Sequence, residues 1–185
     1  MTRDDAVPEG AQTSGHVVEQ VVEGLDGLPS DDAARGLDIL ADHGIETPRR
    51  EVWYPLSAWI EALEDIGAAL GDDALTHVGR SVPEGVEWPP DPDSAKSGFA
   101  TVDDAYQLNH RGGDVGYYEF VEVGEREQRV VCANPYPCSF DEGIIEGTLR
   151  AFGYEFTYPP MAFVSETGEE CRAESGSQCE YRVAY

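Results

Sequence analysis

The four cysteines, Cys132, Cys138, Cys171 and Cys179, lie in the last third of a 185-residue chain. A thiolate binds soft metals and attacks electrophiles, so these residues carry the most chemistry the sequence offers. Five residues separate Cys132 from Cys138 and seven separate Cys171 from Cys179, so no CxxC knuckle of a standard zinc finger is present. A site assembled in space stays open. Cys138 stands just before a predicted helix, whose N-terminus favours the thiolate. Gly176 allows the segment from Glu174 to Gln178 to turn back and bring Cys171 to Cys179. Three thiolates with one oxygen or nitrogen ligand make a closed tetrahedral zinc site, whereas buried cysteines can equally be small core hydrophobes.

His110, in "LNHRGGDVGYY", ends a predicted helix beside Arg111 and two glycines. It could bind a small molecule, a metal or heme, or simply cap helix carbonyls. No Tyr-Ser-Arg type propionate clamp stands nearby, so heme is disfavoured. His16, His43 and His77 read as surface or core residues. Tyr117 and Trp59 are the aromatic candidates for lining an apolar pocket, drawn from a set that also includes Trp53, Tyr106, Tyr118, Tyr136, Tyr154 and Tyr158. The chain has no phosphate-binding glycine loop, no GxSxG elbow and no HExxH, which points away from an enzyme.

Composition narrows the partners. The formal net charge is −25, from 37 acidic against 12 basic residues, and Lys96 is the lone lysine. Such a surface repels phosphate, which disfavours direct nucleic-acid contact and anionic membranes. Acidic residues are interleaved with aliphatic and aromatic ones, a whole-surface pattern that resembles salt-adapted haloarchaeal proteins. With neither a membrane-length apolar run nor a signal-peptide pattern, the expected location is cytoplasmic, where thiols stay reduced and structural disulfides are disfavoured.

These candidates need elements to position them. Residues 1–15 read as a flexible lead-in, followed by one domain over 16–185: a helical part at 16–82, a proline-rich linker at 83–98 and an α+β part at 99–185. Val17, Val21 and Leu25 repeat every four residues, as a helix requires, and Ser30 and Ser57 are candidate N-caps. Trp59, Leu63, Ile66 and Leu70 form one apolar stripe, stopped by Gly71. Four prolines between Pro83 and Pro92 argue against regular structure there. Alternation over Tyr117–Val123, a charged turn and the run Arg129–Cys132 predict a hairpin. A helix over Ser139–Phe152, stopped by Gly153, and two final strands, "YEFTYPPMAFV" and "SQCEYRVAY", complete the expectation. The fold class is therefore α+β, with helices packed on one side of a twisted antiparallel sheet and a helical N-terminal half.

The stretches "CSFDEGIIEGTLRAFG" and "CRAESGSQCEYRV" carry a resemblance. A cysteine before a glycine-punctuated helix, then two cysteines around a glycine-containing turn, an aromatic and a terminal strand, is similar to the C-terminal half of the 4-vinyl reductase domain family. That family is related in fold to heme-NO-binding domains and vesicle-tethering subunits. The resemblance implies zinc held by Cys138, Cys171 and Cys179 with a nearby glutamate. Gly168 stands where that glutamate is expected, so the order of preference for the fourth ligand is Glu166, then Cys132, then Glu169. It also implies a non-enzymatic sensory or regulatory domain that binds a small apolar or aromatic molecule and signals through a partner protein or a homodimer. The alternative is a tetrapyrrole-related enzyme or a heme-binding gas sensor.

Overall fold

The structure, a computed structural model, describes residues 7–90, 92–125, 127–153, 163–168, 171–174 and 176–184. Its architecture is α+β. A short strand β1 (Gln12–Ser14) leads into helix α1 (Gly15–Asp26), followed by α2 (Ser30–Asp42), β2 (Trp53–Pro55), α3 (Leu56–Leu70), α4 (Asp72–Gly79) and the single turn α5 (Val82–Gly85). Then come α6 (Ala95–Ala100), α7 (Val102–Leu108), β3 (His110–Arg111), β4 (Tyr117–Gly124), β5 (Glu127–Ala133), α8 (Cys138–Phe152), β6 (Phe163–Glu166) and β7 (Cys179–Ala184). β1 pairs antiparallel with both β2 and β3, and the larger sheet runs β4-β5-β7-β6, antiparallel throughout.

Each element follows from its residues. Trp59, Leu63 and Ile66 are fully buried along one face of α3, and Gly71 at φ 91° ends that helix in a conformation other residues adopt with strain. Ser30 is the first helical residue of α2 rather than its cap, and Leu56 precedes Ser57 inside α3. In both helices a proline, Pro29 or Pro55, holds the cap position, where its fixed φ directs the chain into the first turn. The lead-in is shorter than its composition suggests, because β1 begins at Gln12 and buries Thr13 between two strands. Within the proline-rich stretch, Pro83 sits in the first turn of α5, the one place in a helix where a missing N–H is harmless. Ser94 and Ser97 then close a reciprocal capping box that starts α6.

The hairpin forms as the alternation predicts, with Tyr118 opposite Cys132 and Phe120 opposite Val130. α8 fits against α4 at backbone distance, made possible by Gly79, Gly143 and Gly147. The strand expected from Tyr154 onward lies partly outside the described residues, as do Tyr158, Glu169 and Glu170. Among the described residues no helix is long and apolar enough to cross a membrane.

Candidate functional site

Two arrangements stand out, joined by a buried charge pair. The first is an apolar cavity of about 40 Å³, room for about three waters. Val17 of α1, Val82, Pro83, Val86 and Trp88 around α5, Tyr106 of α7, Tyr118 of β4 and Ile144 of α8 wall it, and His110 and Tyr136 complete the lining. The rings of Tyr106, Tyr118 and Tyr136 meet edge to face at 5.2 and 5.8 Å between centroids.

His110 lies at the α7–β3 junction, where its short strand pairs with β1 and turns the side chain inward. Its Nδ1 is 2.7 Å from the Tyr106 carbonyl oxygen, which accepts only, so Nδ1 carries the proton. Nε2 is left with its lone pair and accepts from the Tyr136 hydroxyl at 2.8 Å. Burial pushes the His110 pKa down to about 4, against the opposing pull of the Tyr106 carbonyl, so the ring is neutral at pH 7. Around Tyr136, two further buried polar atoms, Thr13 Oγ1 and Trp59 Nε1, lack a well-formed hydrogen bond within the protein.

A pH dependence follows. The unfolded chain binds the His110 proton below pH 6.5, whereas the folded chain binds it only near 4. This contribution to stability is therefore complete above about pH 6.5 and is lost as pH falls toward 4. In denaturant titrations, the stability advantage of the unmodified protein over His110→Asn should shrink by up to about 1.4 kcal/mol per pH unit across that window. A pH-independent difference would show that the histidine is not held neutral.

The second arrangement is the thiol cluster. Cys138 opens α8, Cys171 precedes a 3-10 turn at Arg172–Glu174 and Cys179 opens β7. Their sulfurs lie 3.2 Å (Cys138–Cys179), 3.5 Å (Cys138–Cys171) and 3.6 Å (Cys171–Cys179) apart. The fold thus brings together the three cysteines that the sequence singled out, and Glu166 lines the same groove. Cys132 is packed into the core and is not one of the three. The Cys138 thiol donates to Cys179, and with the Arg172 N–H groups beside it the Cys179 pKa falls to about 4, while Cys138 moves up.

Between cavity and thiols lies Asp141, fully buried on α8. Its carboxylate accepts from the Tyr118 hydroxyl, from Arg172 and, at 3.3 Å, from Asn134 Nδ2. Burial raises the Asp141 carboxyl, and the Arg172 guanidinium opposes that shift. Arg172, itself 7% exposed, also donates to Asn134 Oδ1 at 2.7 Å and to Cys179 Sγ at 3.5 Å. One continuous set of hydrogen bonds therefore runs from the cavity wall at Tyr118, through Asp141 and Arg172, to the thiols. Arg172 carries no sequence signal, and Asp141 carries only its place in the inward stripe of α8.

Two aromatic expectations need revision. Tyr117 is 45% exposed and does not line the cavity, because strand alternation turns its neighbour Tyr118 inward. Trp59 is fully buried behind Tyr136, edge-on to Phe140 at 6.5 Å, and lies outside the cavity lining.

No family model matches the sequence, and no curated protein matches it. Solved structures do. An H-NOX protein from S. oneidensis in the Fe(II)NO ligation state superposes with a TM-score of 0.61 at 12% identity, over 89% of this chain and 97% of that one. An oxygen-binding H-NOX domain related to soluble guanylate cyclases gives 0.57 at 15%, over 92% and 94%. The fold is that of H-NOX domains. A third match, from work on modulating heme redox potential through porphyrin distortion, gives 0.58 at 14%, over 93% and 99%. This likeness corrects the expected cofactor order, which set zinc first and heme aside. It likewise corrects the choice of the 4-vinyl reductase domain and zinc as the leading descriptors, since the matching structures are H-NOX proteins, described by an Fe(II)NO state, an oxygen complex or a heme redox potential.

Proposed function

We propose that this chain is a sensory domain whose signal begins in the cavity beside His110, with heme as the group held there and a partner protein as the receiver. The observation that carries this reading is the state of His110. The ring is buried and neutral, its tautomer is fixed by the Tyr106 carbonyl, and its Nε2 lone pair is held by the Tyr136 hydroxyl at the wall of an apolar chamber. A histidine that ligates a metal is usually oriented this way, through the other ring nitrogen. The donor chemistry therefore fits a ligand to heme iron, and the H-NOX fold supports the choice.

Space sets the condition. A cavity of about 40 Å³ does not hold a macrocycle as it stands, so heme needs a wall to move, and Trp88 with the α5 turn forms one of the walls. Trp88 is tied there by its indole N–H donating to the Pro83 carbonyl at 3.0 Å and by edge contact with Phe152. When bound, heme supplies an iron coordination position for a diatomic gas. His110 would hold the iron through Nε2 in place of its bond to the Tyr136 hydroxyl, and Tyr106, Tyr118 and Ile144 would exclude water. The small cavity also favours a second reading, in which a small apolar or aromatic molecule fills it without iron. The acid-rich surface fits a protein working in high salt, where counterions screen its self-repulsion.

Hemin titration decides between them. A one-to-one Soret band that is lost in His110→Ala supports heme at this site. A protein that stays colourless, or a band that survives the substitution, removes heme and leaves the small-molecule reading.

A further inference from the structure

Three sulfurs in mutual contact form a site separate from the cavity. Cys138 and Cys171 are half-buried and open onto a groove of about 630 Å³ between α3, α4 and α8, while Cys179 sits behind them. Thiols that merely filled core space would need no donors. Cys179 Sγ has two, the backbone N–H of Arg172 at 3.4 Å and its Nε–H at 3.5 Å. These donors fix the position of the sulfur, 3.2 Å from Cys138 Sγ.

We propose that Cys138 and Cys179 form a reversible intrachain disulfide on exposure to a hydroperoxide, with Cys171 as the third thiol through which it exchanges. Closing the bond moves the sulfurs from 3.2 Å to about 2.05 Å, a small approach for side chains on a helix start and a strand start. The Cys138 sulfur, which faces the groove, attacks one peroxide oxygen as its proton passes to the departing one. The O–O bond breaks, giving a sulfenic acid on Cys138 and water. Cys179 Sγ then attacks Cys138 Sγ. The S–S bond forms, the S–O bond breaks, and the leaving hydroxide takes up the Cys179 proton as a second water. Two thiols are oxidised and one peroxide is reduced to two waters. Cys171, at 3.5 and 3.6 Å from the two partners, is placed to attack the disulfide and begin its reversal.

The test uses the whole protein with a metal chelator present throughout. It is treated with stoichiometric hydrogen peroxide, alkylated under denaturing conditions and mapped by mass spectrometry. A dominant Cys138–Cys179 crosslink is expected, with the other two of the four cysteines alkylated and full reversal by dithiothreitol. Cys171→Ser should keep the crosslink. Cys171→Ser/Cys179→Ser, which removes both partners, should raise dimedone labelling of Cys138 by about tenfold or more as the sulfenic acid persists. In the unmodified protein, no oxidation, sulfinic acid without a crosslink, a different dominant pair, or links between separate chains would each overturn the proposal. Because that map needs no variant, a substitution that fails to fold leaves the outcome decidable.

Discussion

Asp141→Ala is expected to destabilise the protein by about 3–5 kcal/mol, among the largest effects of any single substitution. Asp141 is fully buried and Arg172 is 7% exposed, so removing the carboxylate leaves a guanidinium out of water with only Asn134 and the sulfur of Cys179 beside it. A buried pair need not be strongly stabilising in itself, because bringing two charges out of water offsets much of their attraction. The severe case is the half-pair. Asp141→Leu/Arg172→Met should therefore be more stable than Asp141→Ala despite changing two residues. In a chain of this size, where each kcal/mol moves the melting midpoint by about 2–4 °C, the single variant should lose at least about 6 °C. A double variant no better than the single one would show that the pair acts through packing rather than charge.

The same residues show what the sequence could and could not reveal. Apolar period identified α3 and α8, and alternation identified the β4–β5 hairpin, because burial imposes a repeat on each of those elements. The thiol cluster was legible through its cysteines, whose positions before a helix and around a glycine turn limit where the sulfurs lie. Asp141 is marked in the sequence by its place alone. It stands in the inward stripe of α8 with Phe140, Ile144, Ile145 and Thr148, a place where a carboxylate survives only with a partner. That partner, Arg172, lies 31 residues on, beyond β6, so no local rule joins the two. The cavity was less legible still. Tyr117 and Tyr118 are equivalent by composition, and only the register of β4 decides which one faces inward. The state of His110 depends on Tyr136, brought beside it by the turn between β5 and α8, and on a carbonyl one helical turn back.

The glycines of α8 carry the second large effect. Gly143→Ala should destabilise the protein by about 3 kcal/mol, although alanine is the better helix former by about 1 kcal/mol. A methyl group built on Gly143 runs into the Thr76 carbonyl oxygen and lies 2.9 Å from the Gly79 Cα. Its counterpart on Gly79 lies 2.5 Å from the Phe140 carbonyl oxygen. These are backbone atoms on both sides, so no rotamer change relieves the clash and α4 must separate from α8. That separation would reach the thiol groove, which Asp72 and Leu75 of α4 share with Cys138 of α8. Gly67→Ala supplies the opposite case. Gly67 lies inside α3 and its added methyl meets only the end of the Leu75 side chain at 3.1 Å, which can rotate away. Thermal melts should therefore move in opposite directions, with Gly143→Ala falling by roughly 6–12 °C and Gly67→Ala level or slightly higher. If both variants fall alike, helix geometry in general, rather than the close approach of α4 to α8, explains the glycines.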